Sequence, residues 1–122
     1  MRPSKSSWES PIHLVPKAKG EWRICGDFRR LKAQTIPDKY HIPHIRDFSH
    51  ALHNKKIFSK LDLIKAYHQI PLDKHSIDKS LIITPFGLLE HLFMCMGLSN
   101  AAQTFQQFID QVVGDLDCCI VY

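Results

Sequence analysis

Residues 11–17 and 21–28 are short apolar-rich runs, and in the second Trp22 and Ile24 alternate with Arg23 and Cys25. Two such runs flanking Lys19-Gly20 predict the strands of a β-hairpin. Residues 29–33 fit one helical turn, and residues 35–43, which hold Pro37 and Pro43, read as an extended connection. Ile45, Phe48 and Leu52 then form a helix stripe that ends near Asn54. Along residues 56–63, Ile57, Ser59, Leu61 and Leu63 alternate with Phe58, Lys60 and Asp62, which predicts a strand with Asp62 on the face opposite its leucine neighbours. Residues 80–84 and 88–94 flank Pro85-Phe86-Gly87, a turn between two apolar runs, hence a second hairpin. Ser99-Asn100 is positioned to cap a helix whose stripe runs through Ala101, Phe105, Phe108, Ile109, Val112 and Leu116. Residues 118–122 begin another β-like run. The expected class is α+β, in one domain.

Composition adds boundaries to this picture. A chain of 122 residues buries one modest core. At 44% hydrophobic and 23% charged it lies far from the composition of disordered chains. The 16 Lys and Arg against 12 Asp and Glu leave +4, which favours a polyanionic partner without identifying one. No apolar run approaches the roughly 18 residues of a membrane span, and the first residues lack a secretory signal, so a soluble intracellular protein without membrane contact is expected. The four cysteines, Cys25, Cys95, Cys118 and Cys119, lack Cys-x-x-Cys pairing and read as reduced thiols. His41, His44, His50 and His53 recur at i, i+3 spacing, but Pro43 interrupts the first pair and no cysteine supports the second, which argues against zinc. There are no repeats or linkers. Both ends read as cuts: the last strand simply stops, and the first has no preceding element to pack on.

Candidate chemistry lies in three places: a basic hairpin tip (Lys17, Lys19, Arg23), a strand aspartate, Asp62, five residues before Tyr67, and a final tyrosine, Tyr122. Taken singly, each has an ordinary explanation as a solvated cation, an edge-strand acid or a core aromatic. Their wording and order say more. Phe58-Ser59-Lys60-Leu61-Asp62-Leu63-Ile64-Lys65-Ala66-Tyr67-His68-Gln69-Ile70-Pro71-Leu72 resembles the first catalytic motif of gypsy-type retrotransposon reverse transcriptases. Upstream, Ser10-Pro11-Ile12-His13-Leu14-Val15-Pro16-Lys17 and Trp22-Arg23-Ile24-Cys25-Gly26-Asp27-Phe28-Arg29-Arg30-Leu31 resemble the family's fingers hairpin. Downstream, Thr84-Pro85-Phe86-Gly87-Leu88-Leu89-Glu90 and Gly97-Leu98-Ser99-Asn100-Ala101-Ala102-Gln103-Thr104-Phe105-Gln106 resemble its palm segment and helix.

The resemblance implies a polymerase right-hand fold, incomplete here: fingers over residues 1–55 and a partial palm over 56–122, with an antiparallel sheet backed by a helix over residues 99–113. It implies an RNA-directed DNA polymerase acting on an RNA or DNA template-primer with deoxynucleoside triphosphates, using magnesium or, alternatively, manganese. Two ions about 3.5–4 Å apart activate the primer hydroxyl and stabilise the leaving pyrophosphate, and such hard ions call for carboxylates. By resemblance Asp62 is the catalytic carboxylate and, with Leu63, a metal ligand. Arg23 and a lysine, Lys17 or Lys19, contact the triphosphate, since a guanidinium fork clamps phosphate oxygens. Tyr67 is the ring that excludes a ribose 2′-hydroxyl, Met96 joins the nucleotide pocket, and Gly97, Gln106 and Tyr122 meet the nucleic acid. The family's remaining two aspartates follow a tyrosine at the place of Tyr122, so these residues alone are expected to be inactive. Thumb, connection, ribonuclease H and integrase regions of a Pol polyprotein are the implied partners. The implied location is the cytoplasm, within the element's virus-like particle, or the nucleus. A non-catalytic nucleic-acid-binding remnant and a degenerate transposon product are the alternatives.

Some positions depart from the family pattern. Its Met-Pro-Phe-Gly-Leu reads Met94-Cys95-Met96-Gly97-Leu98, its lysine pair reads Lys17-Ala18-Lys19, and Lys32 and His41 replace an Asn and a Pro. Cysteine at 95 removes a φ constraint from a loop expected beside the nucleotide.

Overall fold

Both expected hairpins form in the computed structural model, which describes residues 1–18 and 20–121, with all side chains among them except those of Ile45, His50 and Ala51. Lys19 and Tyr122, and with them the expected triphosphate contact of the one and nucleic-acid contact of the other, lie outside the described residues. Strands β2 (Ile12–Pro16) and β3 (Trp22–Gly26) pair antiparallel with Leu14 opposite Ile24 and Val15 opposite Arg23. They follow β1 (Arg2–Pro3), a short strand that the hydrophobic pattern does not announce. Cross-strand pairing places Leu14, Pro16, Trp22 and Ile24 on one face of the ribbon and Val15 and Arg23 on the other.

The second hairpin joins β4 (Ile82–Thr84) to β5 (Gly87–Glu90), and β5 also pairs with β1, so the sheet order is β1-β5-β4, antiparallel throughout. Its turn depends on Gly87, whose φ of 128° is closed to side-chain-bearing residues. The Thr84 hydroxyl completes the turn by donating to the Gly87 carbonyl at 2.8 Å. Strand β1, only two residues long, is held by charge. Arg2 Nε lies 2.6 Å from Glu90 Oε1, the Ser4 hydroxyl donates to Glu90 Oε2, and Glu90 is 5% exposed. These bonds hold the Glu90 carboxyl below its ordinary range, the Ser4 bond contributing most and the Arg2 bond next.

The ribbon and the sheet are tied together at residues 10–11. Ile83 N donates to Ser10 O at 2.9 Å, and Asp27 N donates to Pro11 O at 2.8 Å. Under this junction sits the core, formed by Phe28, Ile82 and Cys95 with Leu31, Leu89 and Leu98 packed around them. Full burial of one such side chain contributes about 1.5–3 kcal/mol. Residues from both sides of position 55 build this core and this sheet.

Helix α1 (Arg29–Gln34) continues from β3, and the connection after it is extended as expected. Instead of one helix over residues 45–54 there is a 3-10 turn (Ile45–Phe48) followed by a single α-turn, α2 (Ser49–Leu52). A second 3-10 turn (Ala66–Gln69), α3 (Lys74–Ile77) and a third 3-10 turn (Asp78–Ser80) lead to the sheet. The long helix α4 (Ala101–Val113) lies where its apolar period placed it and buries Ala101, Gln106 and Ile109.

Two strand expectations fail. Residues 56–63 form no strand, and Ile57 and Leu61 are 91% and 89% exposed; residues 118–121 form none either. Alternation prepares a segment to cover a sheet face, but a strand exists only when a neighbour supplies the ladder, and none reaches these residues here. Mixed helices and antiparallel sheets make the class α+β, as the pattern predicts.

Candidate nucleotide and metal site

Asp62 stands on the unpaired segment, exposed, and Leu63 beside it is 48% exposed. Among the described residues no hydrogen bond or ion pair engages the Asp62 carboxylate, and none engages the Leu63 carbonyl. The segment ends in a tight turn. Lys65 takes a left-handed backbone conformation, φ 52° and ψ 41°, which costs a side-chain-bearing residue about 1–2 kcal/mol. The Gln69 amide donates to the Ile64 carbonyl at 2.9 Å and holds that turn shut.

Tyr67 sits in the Ala66–Gln69 turn, half-buried, with its ring edge-on to Phe105 of α4 at a centroid separation of 5.5 Å. Such a pair contributes about 0.5–1.5 kcal/mol beyond burial. The next residues run beside the loop that carries Met96. Leu72 N donates to Leu92 O at 2.9 Å and Met94 N to Ile70 O at 2.8 Å. Met96 is 45% exposed, and Gly97, at φ 98°, lies so close to the first hairpin that an added Cβ would stand 3.5 Å from the Gly26 carbonyl. Hydrogen bonds therefore join the Tyr67 turn to the segment leading into the Met96-Gly97 loop, and that loop lies against the base of β3.

Cys95, at the family's proline position, is 4% exposed within the core cluster. Burial, and secondarily the neighbouring Cys25, raise its thiol to about 11, so it acts as a packed apolar group. The side chain occupies core volume in place of the lost ring constraint.

The cations of the hairpin differ in their commitments. Lys17 Nζ lies 2.9 Å from Glu21 Oε2 across the tip, an exposed pair worth about 0–1 kcal/mol and easily exchanged for a phosphate. Arg23 is exposed and, among the described residues, makes no ion pair. Arg29, by contrast, is held by Asp27 at 2.6 Å, and this hydrogen-bonded pairing lowers the Asp27 carboxyl and raises the Arg29 guanidinium.

Gln106 requires a correction as a nucleic-acid contact. It is 5% exposed, and its amide donates to Asp110 Oδ1 at 2.9 Å, because position 106 falls on the buried side of α4. The Tyr40 hydroxyl donates to Asp110 Oδ2 at 2.8 Å, and this bond, with burial adding to it, raises the phenol above its ordinary value. Asn100 also differs from expectation. It occupies the N-cap of α4, yet its side chain accepts from Asp38 N at 3.1 Å and donates to Ile36 O at 2.9 Å, latching the 36–38 connection to the helix. Asn100 and Asp110 thus fasten residues 36–40 along α4. No short-range signal marks either role, because the partners lie 62 to 70 positions away in the chain.

Among the described residues no group of three or more His, Cys, Asp or Glu side chains converges. One free carboxylate with an adjacent free carbonyl fits part of the shell of a magnesium ion, which takes its other ligands from phosphates and water. No helix among the described residues is long and apolar enough to cross a membrane.

The Pol polyprotein of the Drosophila melanogaster transposon opus is 39% identical over the whole chain, which spans 13% of that relative's length. The corresponding polyprotein of transposon gypsy, from the same organism, is 37% identical over the whole chain, again with 13% of its length covered. In structure, the prototype foamy virus protease-reverse transcriptase superposes with a TM-score of 0.86 at 21% identity, over 99% of this chain and 16% of that one. A foamy viral protease-reverse transcriptase solved with an RNA/DNA hybrid gives 0.80 at 18%, over the same shares. The family described as reverse transcriptase (RNA-dependent DNA polymerase) matches residues 15–122, and to that family this chain belongs.

Proposed function

We propose that these residues supply the nucleotide-facing part of an RNA-directed DNA polymerase, and that Asp62 is one of the carboxylates that hold its catalytic ions. The observation that carries the reading is the exposed, unpaired Asp62 carboxylate three residues before the left-handed Lys65 turn that leads into Tyr67. Magnesium, or manganese in its place, would be held by Asp62 and the Leu63 carbonyl, and when bound it polarises phosphate oxygens and lowers the pKa of the attacking hydroxyl.

The chain's own groups bind and orient. Arg23, exposed and without an ion pair among the described residues, grips triphosphate oxygens through its planar fork, with Lys17 released from Glu21 to assist. Tyr67, braced by Phe105, presents its ring to the sugar and rejects a 2′-hydroxyl by steric exclusion. Met96 forms an apolar wall, and Gly97 allows nucleic acid to approach the backbone. Deoxynucleoside triphosphates and an RNA or DNA template-primer are the substrates. Residues 1–55 act as fingers and 56–122 as palm, within a Pol polyprotein that supplies thumb, connection, ribonuclease H and integrase. The setting is the cytoplasmic particle of the element, or the nucleus.

Two-ion catalysis needs more than one protein carboxylate, so a polypeptide of these 122 residues alone should not extend a primer. In a primer-extension assay with magnesium or manganese, no template-dependent product is expected from it. A longer protein carrying two further aspartates after Tyr122 should extend the primer, and Asp62→Asn should abolish that activity. Synthesis by the short chain, or an active Asp62→Asn protein, would overturn the reading.

A further inference from the structure

We propose that Gln69 is a positioning residue for sugar selection: its side-chain amide, by holding the Ile64 carbonyl, fixes the turn that aims the Tyr67 ring. It thereby sets how strongly a ribonucleotide is rejected against a deoxynucleotide. This rests on the sugar-facing role proposed for Tyr67, and it assigns control of that role to a residue outside the nucleotide contacts.

Gln69 Nε2 donates to Ile64 O at 2.9 Å, which closes a loop from 64 to 69 with Tyr67 inside it. His68 N donates to Lys65 O at 2.8 Å and Ile70 N to Tyr67 O at 3.2 Å. Ile70 O in turn accepts from Met94 N at 2.8 Å, so the C-terminal end of the turn is pinned to the segment leading into Met96. The N-terminal end depends on Lys65, which adopts φ 52° and ψ 41°. A side-chain-bearing residue holds that conformation only as a minor state unless something compensates. The Gln69 bond spans this residue and supplies the compensation.

Tyr67 therefore has two anchors, and both belong to this chain. Phe105 of α4 meets the ring at 5.5 Å, with 78° between the planes, and restrains where the ring lies. The turn sets the direction in which the Cα–Cβ bond leaves the backbone. A steric filter works only while it is held to within about 0.5 Å and 10–20°. Releasing the backbone anchor leaves the ring in place against Phe105 but free to tilt away from a 2′-hydroxyl. An intramolecular hydrogen bond shifts a local equilibrium by about three- to tenfold, which sets the size of the selectivity at stake.

The test uses the longer protein carrying two further aspartates after Tyr122, in single-nucleotide primer extension with a deoxynucleotide or the matching ribonucleotide. Gln69 is exposed, so Gln69→Leu removes the donor without disturbing the core. It should lower the ratio of kcat/KM for deoxynucleotide over ribonucleotide by about three- to tenfold, through a gain for the ribonucleotide. Lys65→Gly removes the steric cost of the left-handed turn, so in that background the same Gln69→Leu change should alter the ratio by less than about twofold. Hydrogen exchange read by mass spectrometry should be faster over residues 66–70 in Gln69→Leu and unchanged elsewhere. An equal fall in kcat/KM for both sugars, or the same effect in both Lys65 backgrounds, would overturn the inference. Tyr67→Ala separates it from the reading on which it rests. Discrimination lost in Tyr67→Ala but intact in Gln69→Leu would remove the role of Gln69 and leave Tyr67 as the filter, whereas discrimination retained in Tyr67→Ala would remove both.

Discussion

Replacing Gly26 with alanine tests the packing that joins the first hairpin to the Met96-Gly97 loop. A Cβ at position 26 would stand 2.5 Å from Phe28 Cζ, 2.7 Å from Phe28 Cε2 and 2.9 Å from Ile82 Cγ2. The ring has little room to retreat, since Phe28 is 2% exposed and belongs to the core cluster with Ile82 and Cys95. Overpacking of a core costs about 1–3 kcal/mol, and clashes with both Phe28 and Ile82 put this site near the upper end, about 3 kcal/mol. For a domain of this size each kcal/mol shifts Tm by about 4 °C, so a fall of about 10 °C is expected. The control is Phe28→Leu, which removes the clashing ring atoms and alone costs about 1 kcal/mol or more in lost apolar burial. In urea denaturation the double variant Gly26→Ala/Phe28→Leu should be less destabilised than the sum of the singles by about 1–2 kcal/mol. Additive effects, or a Gly26→Ala protein within about 0.5 kcal/mol of the parent, would refute the wedge between β3 and the loop.

Two further outcomes follow from the polar contacts. Asp110→Ala should destabilise by about 1–3 kcal/mol, because it leaves the buried Gln106 amide without its acceptor. Chemical denaturation measures that loss, and spectrophotometric titration should show the Tyr40 phenol moving back down toward its ordinary value. Glu90 has its folded-state pKa depressed, so its stabilisation is present above the ordinary carboxyl value of 4.5 and is lost as pH falls through the folded value. Urea midpoints compared above and below that value should show this acid-side loss in the parent and a flatter profile in Glu90→Gln.

The hairpins over residues 11–28 and 80–90 and the helix over 101–113 are legible in the chain because their signals are local. Alternation, a glycine that a turn demands at 87, and apolar residues three and four apart each act over a few positions. Asp62, Arg23 and Tyr67 stand out as candidates only through the wording of whole motifs, for neither period nor charge distinguishes them from ordinary surface and core residues. Tertiary structure decided what depends on distant partners. Strand β1 exists because Glu90, 88 positions away, answers Arg2. Asn100 became a latch and Gln106 a buried link because the 36–40 connection returns to α4. Residues 56–63 hold the alternation of a strand without forming one, since a single segment can specify its own faces, whereas its hydrogen bonds must be completed by a neighbour.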